Sequence, residues 1–399
     1  MESRRSLVVA TLGVTQTVSW ASSYYLTAIF ADPVSAGLHV SRTFFFGVVS
    51  GALLASGLLG PLAGRIIDRR GGRDVLAATN LAFAAGLCVM AASQGPLGLI
   101  VAWSLIALGM GFGLYEAAFA TAAGLYGLEA RNAITGITLI AGFASTVGWP
   151  TSRFLVETVG WRDAALAWAA LHLLLALPMN RFLIPKAAPA ERDETPLETP
   201  PGILPGSPAE PDAEASPVSA TMLILAGVFG ATWFISASLA AHLPRLLHAM
   251  GATPDAAVAA AALVGPAQVI ARLFEFGVLR RVSPMVSARL STILNPIGGV
   301  LLAIFGPVAA IPFVLLHGAG NGMLTIARGT LPLALFGPSG YGMRTGILAA
   351  PARVLQGAAP LVFGLVLDRL GPMAALAFSA ALMGGSCVVL CLLHPNADG

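Results

Sequence analysis

The chain has 399 residues, of which 56% are hydrophobic and only 10% charged. Soluble domains carry about a quarter charged residues, so the composition excludes a water-soluble fold and assigns the chain to lipid. The net charge of +3 comes almost wholly from arginine, Lys186 being the only lysine; the arginines stand singly or in short turns, which excludes a nucleic-acid-binding surface.

A spanning helix needs about 20 residues, and the hydrophobic runs divide into twelve such segments. The expected spans are 6–30, 43–66, 74–94, 97–126, 132–158 and 162–184, then 219–242, 254–276, 285–306, 309–335, 343–366 and 372–393. They are numbered 1 to 12 below. The first could be mistaken for a secretory signal, since Arg4 and Arg5 precede an apolar run. That run is too long and has no small-residue cleavage site, so it is expected to stay as span 1. Residues 185–218 are rich in Pro, Glu, Asp and Ala without apolar periodicity, which predicts a disordered linker between two six-span halves, 1–184 and 219–399. Cys88, Cys387 and Cys391 lie in apolar stretches with neither metal-ligand nor disulfide spacing.

Spans 2 and 3 are joined by Gly64-Arg65-Ile66-Ile67-Asp68-Arg69-Arg70-Gly71-Gly72-Arg73, a dense polar knot in an apolar chain. Charges are costly inside lipid, so the knot is expected at a membrane face. Its pattern, Gly-x-x-x-Asp-Arg-x-Gly-x-Arg, resembles the signature loop between helices 2 and 3 of the major facilitator superfamily. The halves also repeat. Gly109-Met110-Gly111-Phe112-Gly113 of span 4 matches Gly318-Ala319-Gly320-Asn321-Gly322 of span 10. Gly136 matches Gly346 and Pro150 matches Pro360 at the same offset, and Arg65-x-x-Asp68 has a worn counterpart in Arg272-x-x-Glu275. The resemblance implies an all-α membrane fold of twelve helices in two pseudo-repeat halves, with a substrate site between them near the midplane. It also implies that Gly64, Asp68, Arg69, Gly71 and Arg73 form a gating motif in which Asp68 and Arg69 do not touch substrate, and Arg272 and Glu275 look like the motif's second-half partner.

Arginine placement sets the expected orientation. Arg4, Arg5, Arg69, Arg70, Arg73, Arg131, Arg181, Lys186, Arg192, Arg280, Arg281, Arg289 and Arg344 fall on one side, against Arg42, Arg162, Arg245 and Arg369 on the other, with Arg153 close to that second end. The positive-inside rule then puts both termini, the knot and the linker in the cytoplasm of a bacterial-type inner membrane.

An ionisable residue within a span is a functional candidate, because lipid exposure is expensive. Glu116 in span 4 and Arg353 in span 11 each lie about ten residues, or roughly 15 Å, from a span end. Arg328 lies in span 10. A carboxylate facing two guanidiniums suits a proton-switched gate or an anion site, since the guanidinium fork matches a carboxylate; the bland alternative is an ion pair that only holds the bundle closed. Glu116 is expected to carry a coupled proton, with His317 as a second candidate because imidazole titrates near neutrality. Asn321, Gln16, Trp20, Tyr24 and Trp233 are expected on the cavity wall as substrate contacts, along with Arg328 and Arg353. Tyr115 is expected to pack, and Arg153 and Glu157 to snorkel at a membrane face.

No Walker-type Gly-x-x-x-x-Gly-Lys, catalytic triad or metal cluster occurs in the sequence. No enzymatic activity and no cofactor are expected. The span 4 arginine and the span 5 Gly-Pro-x-x-Gly-Gly element of drug:proton antiporters are missing: those regions read Ser104-Leu105-Ile106-Ala107-Leu108 and Gly148-Trp149-Pro150-Thr151-Ser152-Arg153. The stretch Gly265-Pro266-Ala267-Gln268-Val269-Ile270-Ala271-Arg272-Leu273 and the cation Arg353 resemble monocarboxylate and oxalate/formate carriers. The expected function is therefore proton-coupled secondary transport of a small organic anion by a monomer in the lipid bilayer. Proton-coupled efflux of apolar or cationic compounds is the alternative, and a non-transporting receptor is a further one.

Overall fold

The computed structural model describes residues 2–186 and 219–393. The expected linker, apart from Pro185 and Lys186, lies outside the described residues. No strand occurs among the described residues. Span 1 is built of Glu2–Ala21 and Thr27–Gly37, span 2 of Arg42–Arg70 and span 3 of Gly72–Ala92. Span 4 comprises Pro96–Gly113 and Tyr115–Tyr126. Span 5 begins with Ala130–Ala141, and Ala144–Leu171 carries the chain through span 5 into span 6, which ends in two π-helical turns, His172–Ala176 and Met179–Leu183. In the second half, span 7 is Ala220–Ala249, span 8 is Pro254–Ala262 plus Val264–Gly277, and span 9 is Pro284–Phe305. Spans 10, 11 and 12 are Ala310–Phe336, Tyr341–Leu370 and Pro372–Leu392. Eight helical runs among the described residues are long and apolar enough to cross a membrane; Pro96–Leu183 holds spans 4 to 6 and Pro284–Phe336 holds spans 9 and 10.

The turns follow from local chemistry. Gly71 and Gly160 have φ of 78° and 82°, a region that costs a side-chain-bearing residue strain. One ends span 2 inside the polar knot and the other folds span 5 into span 6. Where span 1 breaks at residues 22–26, Tyr25 N–H reaches Trp20 O (3.0 Å), a bond one residue wider than helical.

Each half has its own core. Phe30, Phe45, Phe83 and Trp103 are fully buried in the first half, and Phe313 and Phe363 in the second. Many of the exposed large side chains are apolar, such as Leu58, Leu174, Ile304 and Leu361, as expected of a surface solvated by lipid tails. The halves meet where span 2 crosses span 11 and span 5 crosses span 8. At the first crossing Gly60 lies against Gly346 and Gly64 against Gly342, so closely that a methyl group on Gly64 would overlap the Gly342 carbonyl. Small residues let the backbones approach this closely.

Candidate functional site

A cavity of about 860 Å³ lies between the halves. Its wall reaches Thr27 and Ala28 beyond the span 1 break, Phe46 at the start of span 2 and Pro244 near the end of span 7. It therefore runs toward the face opposite the polar knot. The knot face is shut by the glycine crossing and by two further ties. Asp68 accepts hydrogen bonds from the backbone N–H groups of Gly342 (2.8 Å) and Met343 (2.9 Å), in the first turn of span 11. Helix N-termini offer unpaired N–H donors and a favourable dipole for such a carboxylate. Arg131, at the start of span 5, donates to the carbonyls of Leu279 (3.2 Å) and Val282 between spans 8 and 9.

The floor of the cavity is charged. Span 4 leaves the helical range at Leu114 (φ −84°, ψ −166°) and restarts at Tyr115. The break places Glu116 in the first turn of the new helix, where the dipole favours a carboxylate. It also frees the Gly113 carbonyl, because Ala117 N–H bonds to Leu114 O (3.0 Å) instead. Gln16 Nε2 takes up that carbonyl at 2.6 Å. Gln16 is 1% exposed, so its amide works inside the protein as a cap and is not on the cavity wall.

Arg353 faces Glu116 across the halves, its Nη2 lying 3.4 and 3.5 Å from the two carboxylate oxygens. Its guanidinium also lies over Trp233 (4.6 Å) and, further off, Trp20 (5.8 Å). Arg328 lies over the same Trp233 ring at 4.6 Å and donates weakly to Thr232 Oγ1 at 3.4 Å. Its Nε is buried without a hydrogen-bond partner among the described residues. Cation–π contacts of this kind partly replace lost hydration, but they neutralise no charge.

Arg272 also lines this cavity. It is 5% exposed, hydrogen-bonds Gln268 Oε1 at 3.3 Å, and crowds Gly142 of span 5 so closely that a methyl group there would overlap the guanidinium. The structure does not pair it with Glu275, which is buried on the same helix with Oε2 lacking a partner among the described residues. The signal that would have found Arg272 is side-chain direction: a helical side chain leans toward the helix N-terminus, and the N-terminal end of span 8 faces the open side. Among the described wall residues, three guanidiniums thus stand against one carboxylate.

His317 lines the cavity, but its Nδ1 is engaged by Asn295 Nδ2 (3.0 Å), whose Oδ1 accepts from Ser379 (3.1 Å). Asn321 is on the wall and accepts from Ser236 Oγ at 2.8 Å. Trp20, Tyr24 and Trp233 are wall residues as well. Tyr25, Tyr115 and Trp149 join them, although the sequence pattern did not single out Tyr25 or Trp149. Of the knot, Gly64 and Asp68 make the cross-half contacts described above, Gly71 shapes the turn, and Arg73 pairs with Asp74 at 3.1 Å. Arg69 is exposed. Arg153 and Glu157 pair with each other at 2.7 Å on the exposed surface.

Two repeated helical bundles around one deep cavity, mostly apolar in its wall and charged at its floor, are the build of a membrane carrier. The sequence model of the Major Facilitator Superfamily matches residues 12–350, and the chain belongs to that superfamily of membrane transporters. Solved structures agree across nearly the whole chain. The human organic anion transporter MFSD10 (TETRAN) superposes with a TM-score of 0.70 at 15% identity, covering 97% of this chain and 99% of that one. The proton:xylose symporter XylE gives 0.69 at 14% identity, covering 97% and 95%. The fucose:proton symporter FucP of E. coli gives 0.71 at 14% identity, covering 96% and 97%. Identities this low show the shared fold alone. An uncharacterized 38 kDa protein encoded in the 23S RNA operon of Thermoproteus tenax is 31% identical over 148 residues, 35% of this chain, and the match spans only 38% of that relative's length.

Proposed function

We propose that the protein is a secondary transporter of an organic anion, a carboxylate, coupled to protons and working by alternating access. The observation that carries the reading is the charge of the cavity wall, with Arg272, Arg328 and Arg353 against Glu116 alone. Such a site in low dielectric attracts an anion and repels a cation, which disfavours the alternative of cation efflux. The long Arg353–Glu116 contact suits a pair that exchanges partners. A substrate carboxylate takes the Arg353 fork, Glu116 is released, and it accepts a proton. His317, already engaged by Asn295, is the weaker carrier.

In this reading the arginine-rich knot face is cytoplasmic, following the positive-inside rule in a bacterial-type inner membrane. The cavity then opens outward, with Asp68 and Arg131 tying the cytoplasmic side. The halves 1–184 and 219–399 rock about the site, and one chain suffices as the transporting unit. The test is counterflow into proteoliposomes with labelled monocarboxylates, dicarboxylates and lipophilic cations, with and without a proton gradient. Uptake of a carboxylate driven by the gradient supports the reading; uptake confined to cations or neutral compounds overturns it.

A further inference from the structure

The two halves contribute different chemistry to the cavity. Its guanidiniums, Arg272, Arg328 and Arg353, come from spans 8, 10 and 11 of the second half. The first half contributes a band of rings: Trp20, Tyr24 and Tyr25 from span 1, Tyr115 from span 4 and Trp149 from span 5. The band is continuous. Trp20 meets Tyr115 at 5.1 Å and Tyr24 at 5.7 Å, Tyr24 meets Tyr25 at 5.4 Å, and Tyr25 meets Trp149 at 5.7 Å between centroids. Each of these contacts is edge-on or tilted and none is a parallel stack; Tyr115 does stack on Phe119 at 5.3 Å, and Arg353 lies 5.8 Å from the Trp20 ring. Trp149 Nε1 also donates to Tyr25 O at 3.2 Å, which fixes the band where span 1 is unwound. Across the cavity, Trp233 is already occupied by two guanidiniums.

Size points the same way. Cavities of roughly 300–1,000 Å³ house drug-sized ligands, and the 860 Å³ here far exceeds what a two- or three-carbon acid fills. We propose that the transported anion is an aryl carboxylate. Its planar ring packs on the Trp20–Tyr25–Trp149 band, and its carboxylate is held by Arg353 and Arg328. A ligand with those two ends bridges the halves, which gives it a differential affinity for the closed state that a small acid lacks. The proposal rests on the anion reading and narrows it.

The test compares phenylacetate with cyclohexylacetate on the purified full chain by calorimetry. The two share a carboxylate and a spacer. The saturated ring is at least as apolar, so a plain greasy pocket does not favour the phenyl compound, whereas aromatic faces do. Phenylacetate is expected to bind about three- to tenfold tighter. Trp149→Leu and Trp20→Leu should each reduce that preference to within about twofold. Equal or tighter binding of cyclohexylacetate to the unmodified chain overturns the proposal, as does a preference that survives in both variants. Binding of acetate with neither ring compound also overturns it while leaving the anion reading intact. If no carboxylate binds at all, the anion reading falls with it.

Discussion

Glu116→Gln is expected to tighten substrate binding while abolishing accumulation. Arg353 is 5% exposed and Glu116 25%, so the pair is partly screened. At 3.4 Å and an effective dielectric of about 20, the bare attraction is about 5 kcal/mol. Desolvation and the long, imperfect geometry reduce the net value to about 1.5–3 kcal/mol. In the proposed mechanism a substrate carboxylate must displace Glu116 before it takes the Arg353 fork, so this value is a penalty on binding. Glutamine keeps the shape and removes the competing charge, so affinity should rise about tenfold or more, each 1.4 kcal/mol being a factor of ten. On the proposed exchange, wild-type binding should be proton-linked, with Kd falling as pH falls, because only the carboxylate form of Glu116 competes. In the variant Kd should be flat with pH. Calorimetry over a pH series reads both effects, and proteoliposome uptake should show exchange retained with gradient-driven accumulation lost. Weaker binding in the variant, or an unchanged pH slope, would refute the partner-exchange mechanism.

Arg353→Gln should weaken binding of the transported carboxylate at least tenfold, and Arg353→Lys should recover only part of it, since an ammonium lacks the two-donor fork; equal affinity in wild type and Arg353→Gln would remove the residue from the site. Gly142→Ala places a methyl group against the Arg272 guanidinium and should lower anion affinity several-fold with thermal stability nearly unchanged; a normal Kd would mean Arg272 does not meet substrate. Asp68→Asn removes the charge from two hydrogen bonds to span 11 and should cut transport strongly with binding largely kept; equal losses of both would show another role. Gly64→Ala should wedge spans 2 and 11 apart at the knot face, and spin labels at residues 70 and 339 should report a longer distance, an unchanged distribution counting against the close crossing.

Much of the fold was legible because lipid imposes its own length scale. Most hydrophobic runs of about 20 residues are helical near their expected bounds, although spans 1, 4, 5 and 8 each divide into two helices, span 1 runs on to Gly37 and span 7 to Ala249, and the polar knot fell at one end of the bundle with Arg69 exposed. The breaks inside spans were not legible. Nothing in Leu114 marks a departure from helix: the preceding glycines read equally well as a packing surface, and they do pack, Gly109 against Phe83 and Gly113 against Thr79. The break becomes sensible only with Gln16 in place, because a carbonyl freed within the membrane needs a donor, and that donor comes from another span. For the same reason Gln16 looked like a wall residue on helical spacing alone.

Arg272 shows the complementary difficulty. Counted along the chain, it lies five residues from the end of Val264–Gly277 and pairs naturally with Glu275 as a relic of the repeated knot. A side chain as long as arginine is not where its Cα is. Leaning toward the open end of span 8, it carries its charge up to Gly142, and a glycine at that point of span 5 is what leaves room for it. The spacing Arg-x-x-Glu therefore kept the repeat's form while the two side chains parted. Asp68 retains the tie to the opposite half's helix start. Its counterpart Glu275 sits on the helix whose following turn is held by Arg131 instead. If the two ties are equivalent closures of the knot face, replacing Arg131 with Gln should weaken that face as Asp68→Asn does and lengthen the 70–339 label distance. It should leave anion affinity untouched, since the Arg131 contacts lie outside the cavity wall. A fall in affinity with no change in that distance would mean that the span 5–span 8 contact serves the site rather than the gate.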